Sequence, residues 1–288
     1  MNKYASIASK AAYAAGEFIQ ASAGDIATLN IEQKSLHDYV SEVDRGSEKI
    51  IYELISSEFP EHGFVGEEYG ASAVKSDFQW IVDPLDGTTN FLRGIPHYAV
   101  SIALVHKGEV VHGTVFDPAK REMFSASKGA GTRLNSSPVS VSQAVSMSGG
   151  VYATGVPFNG LTLANLECFT DCMLGVLSQQ TAGIRRLGSA ALDLAYVAAG
   201  RYEGYWEANL KSWDIAAGVL LVKEAGGLVA DLLGTNKFLD NGHILAACPG
   251  AFDPLLAISQ KSYVGWQGEK EPSAGLKSHQ RNKEPSAE

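Results

Sequence analysis

The chain is short of cysteine, of concentrated positive charge and of long apolar runs, and each shortage removes a class of protein. Its three cysteines, Cys168, Cys172 and Cys248, are few and odd in number. Cys168 and Cys172 stand one helical turn apart, the wrong spacing for a redox Cys-x-x-Cys pair, so all three are expected as buried, reduced thiols of a cytoplasmic protein. No apolar stretch reaches the length that spans a bilayer. The first twenty residues are broken by Lys3, Lys10 and Glu17 and put Tyr4, Ile7, Ala8, Ala11, Phe18 and Ile19 on one helical face, which makes an amphipathic helix and not a targeting segment. Lys and Arg number 23 against 32 Asp and Glu, for a net charge of −9. With the basic residues scattered, neither direct nucleic-acid binding nor membrane association is expected. Gly-x-Ser-x-Gly and His-Glu-x-x-His are both missing. The seven histidines are dispersed, and His97 alone falls near the acidic motif described below.

What is present suits a large folded core. Of 288 residues, 45% are apolar and 19% charged, ordinary for a soluble globular protein. Helical periodicity covers roughly 2–22 and 43–58. From Gln79 to about Ser127 the pattern becomes strand-like, with Trp80–Val82, Ala99–Val105, Val110–Phe116 and Met123–Ala126 separated by Lys107-Gly108 and Asp117-Pro118 turns, an antiparallel meander. Val139–Ser142 closes this half. Beyond Gly149, strands are expected at Val151–Thr154, Tyr202–Trp206, Leu228–Asp231 and Ile244–Ala247, with helices at Leu161–Ser178, Ser189–Ala199 and Trp213–Ala225. The chain divides into two mixed α/β halves, 1–145 and 146–265, and a polar tail, 266–288, expected to be disordered. Gly129-Ala-Gly131-Thr132 lacks the third glycine of a dinucleotide fingerprint and is expected as a turn between strands. Trp206 and Trp213 are expected in the core. Arg185 and Arg186 suit phosphate attraction, a surface ion pair or a subunit contact.

The most informative stretch is Trp-Ile-Val-Asp-Pro-Leu-Asp-Gly-Thr-Thr-Asn-Phe at 80–91. An apolar strand delivers Asp83 and Asp86 onto a proline-containing turn, where two close carboxylates repel unless a cation sits between them. Hard divalent ions choose such oxygens. The Gly-Thr-Thr-Asn that follows suits a helix start whose backbone N–H groups attract an anion. Carboxylates, cation and anion together point to metal-assisted phosphoryl chemistry. Three other segments add carboxylates: Asp38-Tyr-Val-Ser-Glu-Val-Asp44, Gly66-Glu67-Glu68 and Trp213-Asp214. Each taken alone has a plain explanation, since Asp44 and Asp214 suit helix N-caps and Glu67 suits a solvated loop.

Gly66-Glu-Glu68, the 80–91 motif and Trp213-Asp-Ile-Ala-Ala-Gly218 resemble the signatures of the inositol monophosphatases, a family within the lithium-sensitive, magnesium-dependent phosphatase superfamily. Arg185-Arg-Leu-Gly-Ser-Ala-Ala-Leu192 resembles the bacterial branch, and the likeness runs from about residue 5 to 260. It implies an αβαβα layered sandwich of two mixed-sheet halves, α+β or α/β in class. It implies two or three Mg²⁺ ions per site, held by Glu67, Asp83, the carbonyl of Leu85, Asp86 and Asp214. Asp44 would hold Thr88, which with Glu67 would orient and deprotonate the attacking water. Backbone N–H groups of Gly87 and Thr88 would take phosphate oxygens, and Gly188, Ser189, Ala190 and Glu207 would meet the substrate alcohol, with Asp86 and Asp214 also facing it. Lys34 is one position out of register with the family lysine and stays outside the site. The implied activity is hydrolysis of myo-inositol monophosphate and similar polyol phosphates by a metal-activated water. Relatives of the same fold act on 3′-phosphoadenosine 5′-phosphate, fructose 1,6-bisphosphate or histidinol phosphate. The family is commonly homodimeric, and one bacterial member serves in ribosomal-RNA transcription antitermination, so contact with the transcription machinery is a role of another class.

Overall fold

The computed structural model describes residues 3–24, 31–35, 38–157 and 162–266, with the main chain alone for 31–35 and 38–40. The tail expected at 266–288 lies outside the described residues from 267 onward. Helix α1 (Lys3–Ser22) leads to an antiparallel pair, β1 (Ile31–Ser35) and β2 (Asp38–Ser41), and then to α2 (Glu42–Glu58). Strands β3 (Gly63–Gly66), β4 (Gly70–Ala71) and β5 (Phe78–Asp86) follow, with the short helix α3 (Thr88–Leu92) directly after β5. The meander continues through β6 (Ala99–His106), β7 (Glu109–Asp117), β8 (Glu122–Ser127), β9 (Thr132–Leu134) and β10 (Ser137–Val139). From β5 to β10 every neighbouring pair is antiparallel, as the strand pattern predicts, while β3 joins β5 in parallel. The result is one eight-stranded sheet in the order β10-β9-β8-β7-β6-β5-β3-β4.

The second sheet is built from β11 (Val151–Thr154), β12 (Gly183–Arg185), β13 (Gly204–Glu207), β14 (Leu228–Ala230) and β15 (Ile244–Ala247), ordered β12-β11-β13-β15-β14. Helices α4 (Leu163–Leu177), α5 (Ala190–Ala198), α6 (Ser212–Glu224), α7 (Phe238–Asn241) and α8 (Pro249–Tyr263) are interleaved with it. The last two of these are not foreseen from the pattern.

Two buried apolar clusters define the layers. One joins α1 and α2 to a single face of the large sheet through Ile7, Ala11, Ile19, Ile51, Trp80, Val100, Ile102 and Phe116. The other joins the opposite face of that sheet to α5, α6 and the small sheet through Ala103, Val115, Phe124, Leu194, Val219, Tyr205 and Leu245. Helices α4 and α8 pack on each other and cover the far side of the small sheet. The order is helix, sheet, helix, sheet, helix, the αβαβα sandwich. Helices α5 and α6 carry apolar residues almost all round because both of their faces are covered by sheets. Close approach is made possible by glycine: a side chain at Gly113 of β7 would meet the Ala217 carbonyl of α6 at 2.7 Å. Trp206 is fully buried and Trp213 packs partly buried against the same cluster. All three cysteines are buried free thiols. Among the described residues no helix is long and apolar enough to cross a membrane.

Candidate active site

Residues three apart on a regular strand face opposite sides, so Asp83 and Asp86 would diverge if β5 were regular. It is not. Asp83 pairs with Ser101 and Asp86 with Ala99, three residues on β5 against two on β6. The extra residue in Pro84-Leu85 is a bulge, and it returns both carboxylates to one face of the sheet. Asp83 is buried and its Oδ1 accepts the N–H of Leu85 at 3.0 Å. Asp86 Oδ2 accepts the Ser189 hydroxyl at 2.6 Å and the Ala191 N–H at 2.7 Å, which ties the bulge to the first turn of α5.

Glu67 follows β3, whose parallel pairing with β5 sets Gly66 beside Val82. Its N–H reaches the Val82 carbonyl at 3.2 Å, one residue before Asp83. Asp214 arrives on α6. The carbonyl of Trp213 accepts the hydroxyl of Ser101, the strand partner of Asp83, at 3.2 Å. Asp214 is not the N-cap of α6, as the sequence suggests. It is the third residue of the helix and its Oδ2 caps backward onto the N–H of Lys211 at 2.6 Å. Asp44 is corrected in the same way. Ser41 is the N-cap of α2, and Asp44 at the third position closes a capping box by accepting the Ser41 N–H at 2.8 Å and hydroxyl at 2.6 Å. The other Asp44 oxygen accepts the Thr88 hydroxyl at 2.8 Å, and that hydroxyl also lies 3.0 Å from the Leu85 carbonyl.

The charges crowd. Burial raises Asp83 well above the ordinary carboxylate range, and Glu67, Asp86 and Asp214 raise it further. Burial likewise raises Asp214, followed by the charges of Asp86 and Glu67. Asp86 is pushed by burial to about 6, against the pull of its Ser189 and Ala191 hydrogen bonds. Asp44 is raised by burial, with its Ser41 and Thr88 bonds opposing. Glu67, Asp83, Asp86 and Asp214 therefore share one electrostatic neighbourhood of a single sign. Among the described residues, no three His, Cys, Asp or Glu side chains already stand in an arrangement ready to hold a metal ion. At least one oxygen each of Asp83, Asp86 and Asp214 is engaged with a backbone or hydroxyl donor. The donor set is all oxygen and clustered like charge, which fits a hard divalent cation.

On the other wall, Gly87 holds φ +92° and would, with any side chain, press on the carbonyls of Gly188 and His97 at 3.1 Å. Ser189 caps α5 by accepting the Leu192 N–H. Glu207, at the end of β13, is pushed by burial to about 7 despite a 2.5 Å bond donated by the Tyr205 hydroxyl. The structure thus brings Glu67, Asp83, Leu85, Asp86, Gly87, Thr88, Asp44, Gly188, Ser189, Ala190 and Asp214 together through direct bonds, close approach or shared charge, and couples Glu207 to Asp86.

Sequence reasoning missed several supports. Asn90 donates from Nδ2 to the carbonyls of His97 at 2.8 Å and Leu187 at 2.7 Å, pinning the loop before Gly188 to α3. Gly155 leaves the space the Glu207 carboxylate fills, since a Cβ there would sit 1.8 Å from Oε1. Asp193, buried on α5, has an oxygen without a partner and lies within the fields of Glu207 and Asp86. Asn90 stands in the Gly-Thr-Thr-Asn read as a helix start, with nothing to mark its carbonyl partners; the other two carry no local signal. His97 is buried, its Nε2 lacks a partner, and burial lowers it to about 4. The Gly129–Gly131 turn is held by the Glu224 carboxylate through both glycine N–H groups.

A five-layered sandwich whose large sheet presents paired carboxylates at a bulge beside a helix start defines a divalent-metal-dependent phosphoric monoester hydrolase. The chain belongs to the inositol monophosphatase family, whose model matches residues 1–264. It is 46% identical over 263 residues to the Nus factor SuhB of Pseudomonas aeruginosa, covering 90% of this chain and 97% of that one. It is 44% identical over 238 residues to the inositol-1-monophosphatase of Mesorhizobium japonicum, covering 82% and 88%. The crystal structure of extragenic suppressor protein suhB from Bartonella henselae superposes with a TM-score of 0.86 at 39% identity, covering 92% of this chain and all of that one.

Proposed function

We propose that this enzyme hydrolyses myo-inositol monophosphate and similar polyol phosphates, with Glu67, Asp83, the Leu85 carbonyl, Asp86 and Asp214 holding two or three Mg²⁺ ions. Bound there, the ions supply positive charge against the phosphoryl oxygens and lower the pKa of water. The observation that carries the reading is the Thr88 hydroxyl bonded to Asp44 at 2.8 Å, one residue after Gly87 and beside the Asp83–Asp86 bulge. Thr88 has one proton and two acceptors for it, Asp44 and the Leu85 carbonyl. Its oxygen lone pairs are left to accept a proton from a water, and Asp44 receives the proton Thr88 gives up. Glu67 orients that water from the turn that follows the neighbouring strand β3. The N–H groups of Gly87 and Thr88 take phosphate oxygens. Gly188, Ser189, Ala190 and Glu207 meet the alcohol, and the part-buried Glu207 carboxylate suits hydroxyl donors of a polyol. The inositol-1-monophosphatase name of the Mesorhizobium relative supports this choice of substrate.

Phosphate release from inositol 1-phosphate, fructose 1,6-bisphosphate, histidinol phosphate and 3′-phosphoadenosine 5′-phosphate, with and without Mg²⁺, tests it. Preference for the inositol ester with strict Mg²⁺ dependence is expected; a strong preference for any of the other three sinks the substrate assignment. We also propose a cytoplasmic homodimer, tested by light scattering. Relatives named as Nus factors support a second reading, contact with the transcription machinery through the protein surface. Asp86→Asn separates the two, because it removes catalysis and leaves the surface unchanged.

A further inference from the structure

Glu48 has no part in the chemistry just described, yet its carboxylate is fully buried on α2 and aimed at the Glu67 loop. Its Oε2 accepts the N–H of Glu68 at 2.8 Å and its Oε1 accepts the N–H of Tyr69 at 3.0 Å. A charged acceptor held by two consecutive backbone donors is a strong and directional anchor. The loop is shaped to admit it. A Cβ on Gly66 would lie 2.0 Å from Glu48 Oε1 and 2.3 Å from its carboxyl carbon, so only glycine allows the carboxylate in. Gly66 does not lie in the left-handed region, so backbone conformation is not what demands glycine there. On its other side Glu67 is fixed by its own N–H to Val82.

Glu48 stands four residues after Asp44 on α2, hence one turn along the same helical face. One of these carboxylates holds Thr88 and the other holds the residues after Glu67. We propose that Glu48 is a positioning residue for Glu67, and that α2 serves as a rigid spacer fixing Glu67 and Thr88 relative to one another. The proposal rests on the roles given to Glu67 and Thr88 above. It explains why a buried charge is kept at a place where burial is costly.

The test is a cycle of Glu48→Ala, Gly66→Ala and the double variant, with Glu48→Gln as the conservative change and Glu67→Gln as a control. Initial rates are measured over substrate and Mg²⁺ concentration, and amide hydrogen exchange at Glu68 and Tyr69 is measured in chelator. Glu48→Ala and Gly66→Ala should each lower kcat by about 10- to 100-fold, with KM for the phosphate ester little changed and more Mg²⁺ needed for half-maximal rate. Both should abolish protection of the two amides while α2 stays protected. The double variant should be no worse than Glu48→Ala, because once the carboxylate is gone the added methyl has nothing to displace. Glu48→Gln, which keeps one acceptor, should fall between. Unchanged exchange and kcat in Glu48→Ala, or losses that multiply in the double variant, would overturn the proposal. Full activity in Glu67→Gln would instead remove the role assigned to Glu67, leaving the clamp to be judged by exchange alone.

Discussion

Asp86→Asn should make the metal-free protein more stable while destroying its activity. The carboxylate is raised from the ordinary 3.8 to about 6, so its ionised form is disfavoured in the fold relative to the unfolded chain. At about 1.4 kcal/mol per pH unit this amounts to roughly 3 kcal/mol of destabilisation at pH 8. The sign follows from linkage. Below the unfolded value the group is protonated in both states and the penalty vanishes; it grows as pH rises and is complete above about 6. Asparagine carries no charge, and its carbonyl oxygen has two lone pairs for the Ser189 hydroxyl and Ala191 N–H that Asp86 holds. Allowing about 1–2 kcal/mol for an imperfectly satisfied amide, the net gain is on the order of 1–2 kcal/mol. That raises Tm by roughly 2–8 °C for a chain of this size. Calorimetry in chelator at pH 8 reads this directly, and at pH 5 the gross penalty should shrink to about half. Mg²⁺ at a hundred times its Kd should stabilise the unaltered enzyme by about 2.7 kcal/mol for each ion bound, and the share that depends on Asp86 should be lost in the variant together with phosphate release. Melting below the unaltered protein in chelator at pH 8, or an undiminished response to Mg²⁺, would refute the reasoning.

Thr88→Val removes the hydroxyl shared between Asp44 and the Leu85 carbonyl; kcat should fall by about 100-fold or more with KM nearly constant, as steady-state kinetics would show. Asn90→Ala strips donors from the His97 and Leu187 carbonyls, costing about 1–3 kcal/mol and raising KM as the loop before Gly188 loosens, both measurable on one preparation. Ser41→Ala removes the α2 cap at a cost of about 1 kcal/mol. It also takes from Asp44 the Ser41 hydroxyl, one of the bonds that oppose its burial-driven rise, while the main-chain N–H of residue 41 and the Thr88 hydroxyl stay, so the acidic limb of the pH–rate profile should move to higher pH; an unmoved limb would mean that ionised Asp44 is not required.

The acidic residues were legible because each sits in a long, unusual local pattern, an apolar strand running into Asp-Pro-Leu-Asp-Gly above all. How they meet was not. The bulge that sets Asp83 and Asp86 on one face exists only in the pairing of β5 with β6; Pro84 marks an interruption of β5 but does not say which side chains the interruption brings to one face. Asp44 and Asp214 suggest N-caps locally, yet Ser41 and Lys211, three residues earlier, take the cap position and leave both carboxylates at the third helical position. Helix α8 hides because Pro249, Gly250 and Pro254 break its pattern. Pro249 suits a first helical position, and tertiary packing on α4 and β15 outweighs the interior Pro254. Glu48 reaches the loop twenty residues away, and only folding brings its partners into reach.

Anomalous diffraction at the manganese edge, from crystals grown with Mn²⁺ and inorganic phosphate, examines the central assignment most directly. The account predicts peaks within bonding distance of the Glu67, Asp83, Asp86 and Asp214 carboxylates. Manganese bound only elsewhere on the protein, with none of these four side chains touching it, would contradict it.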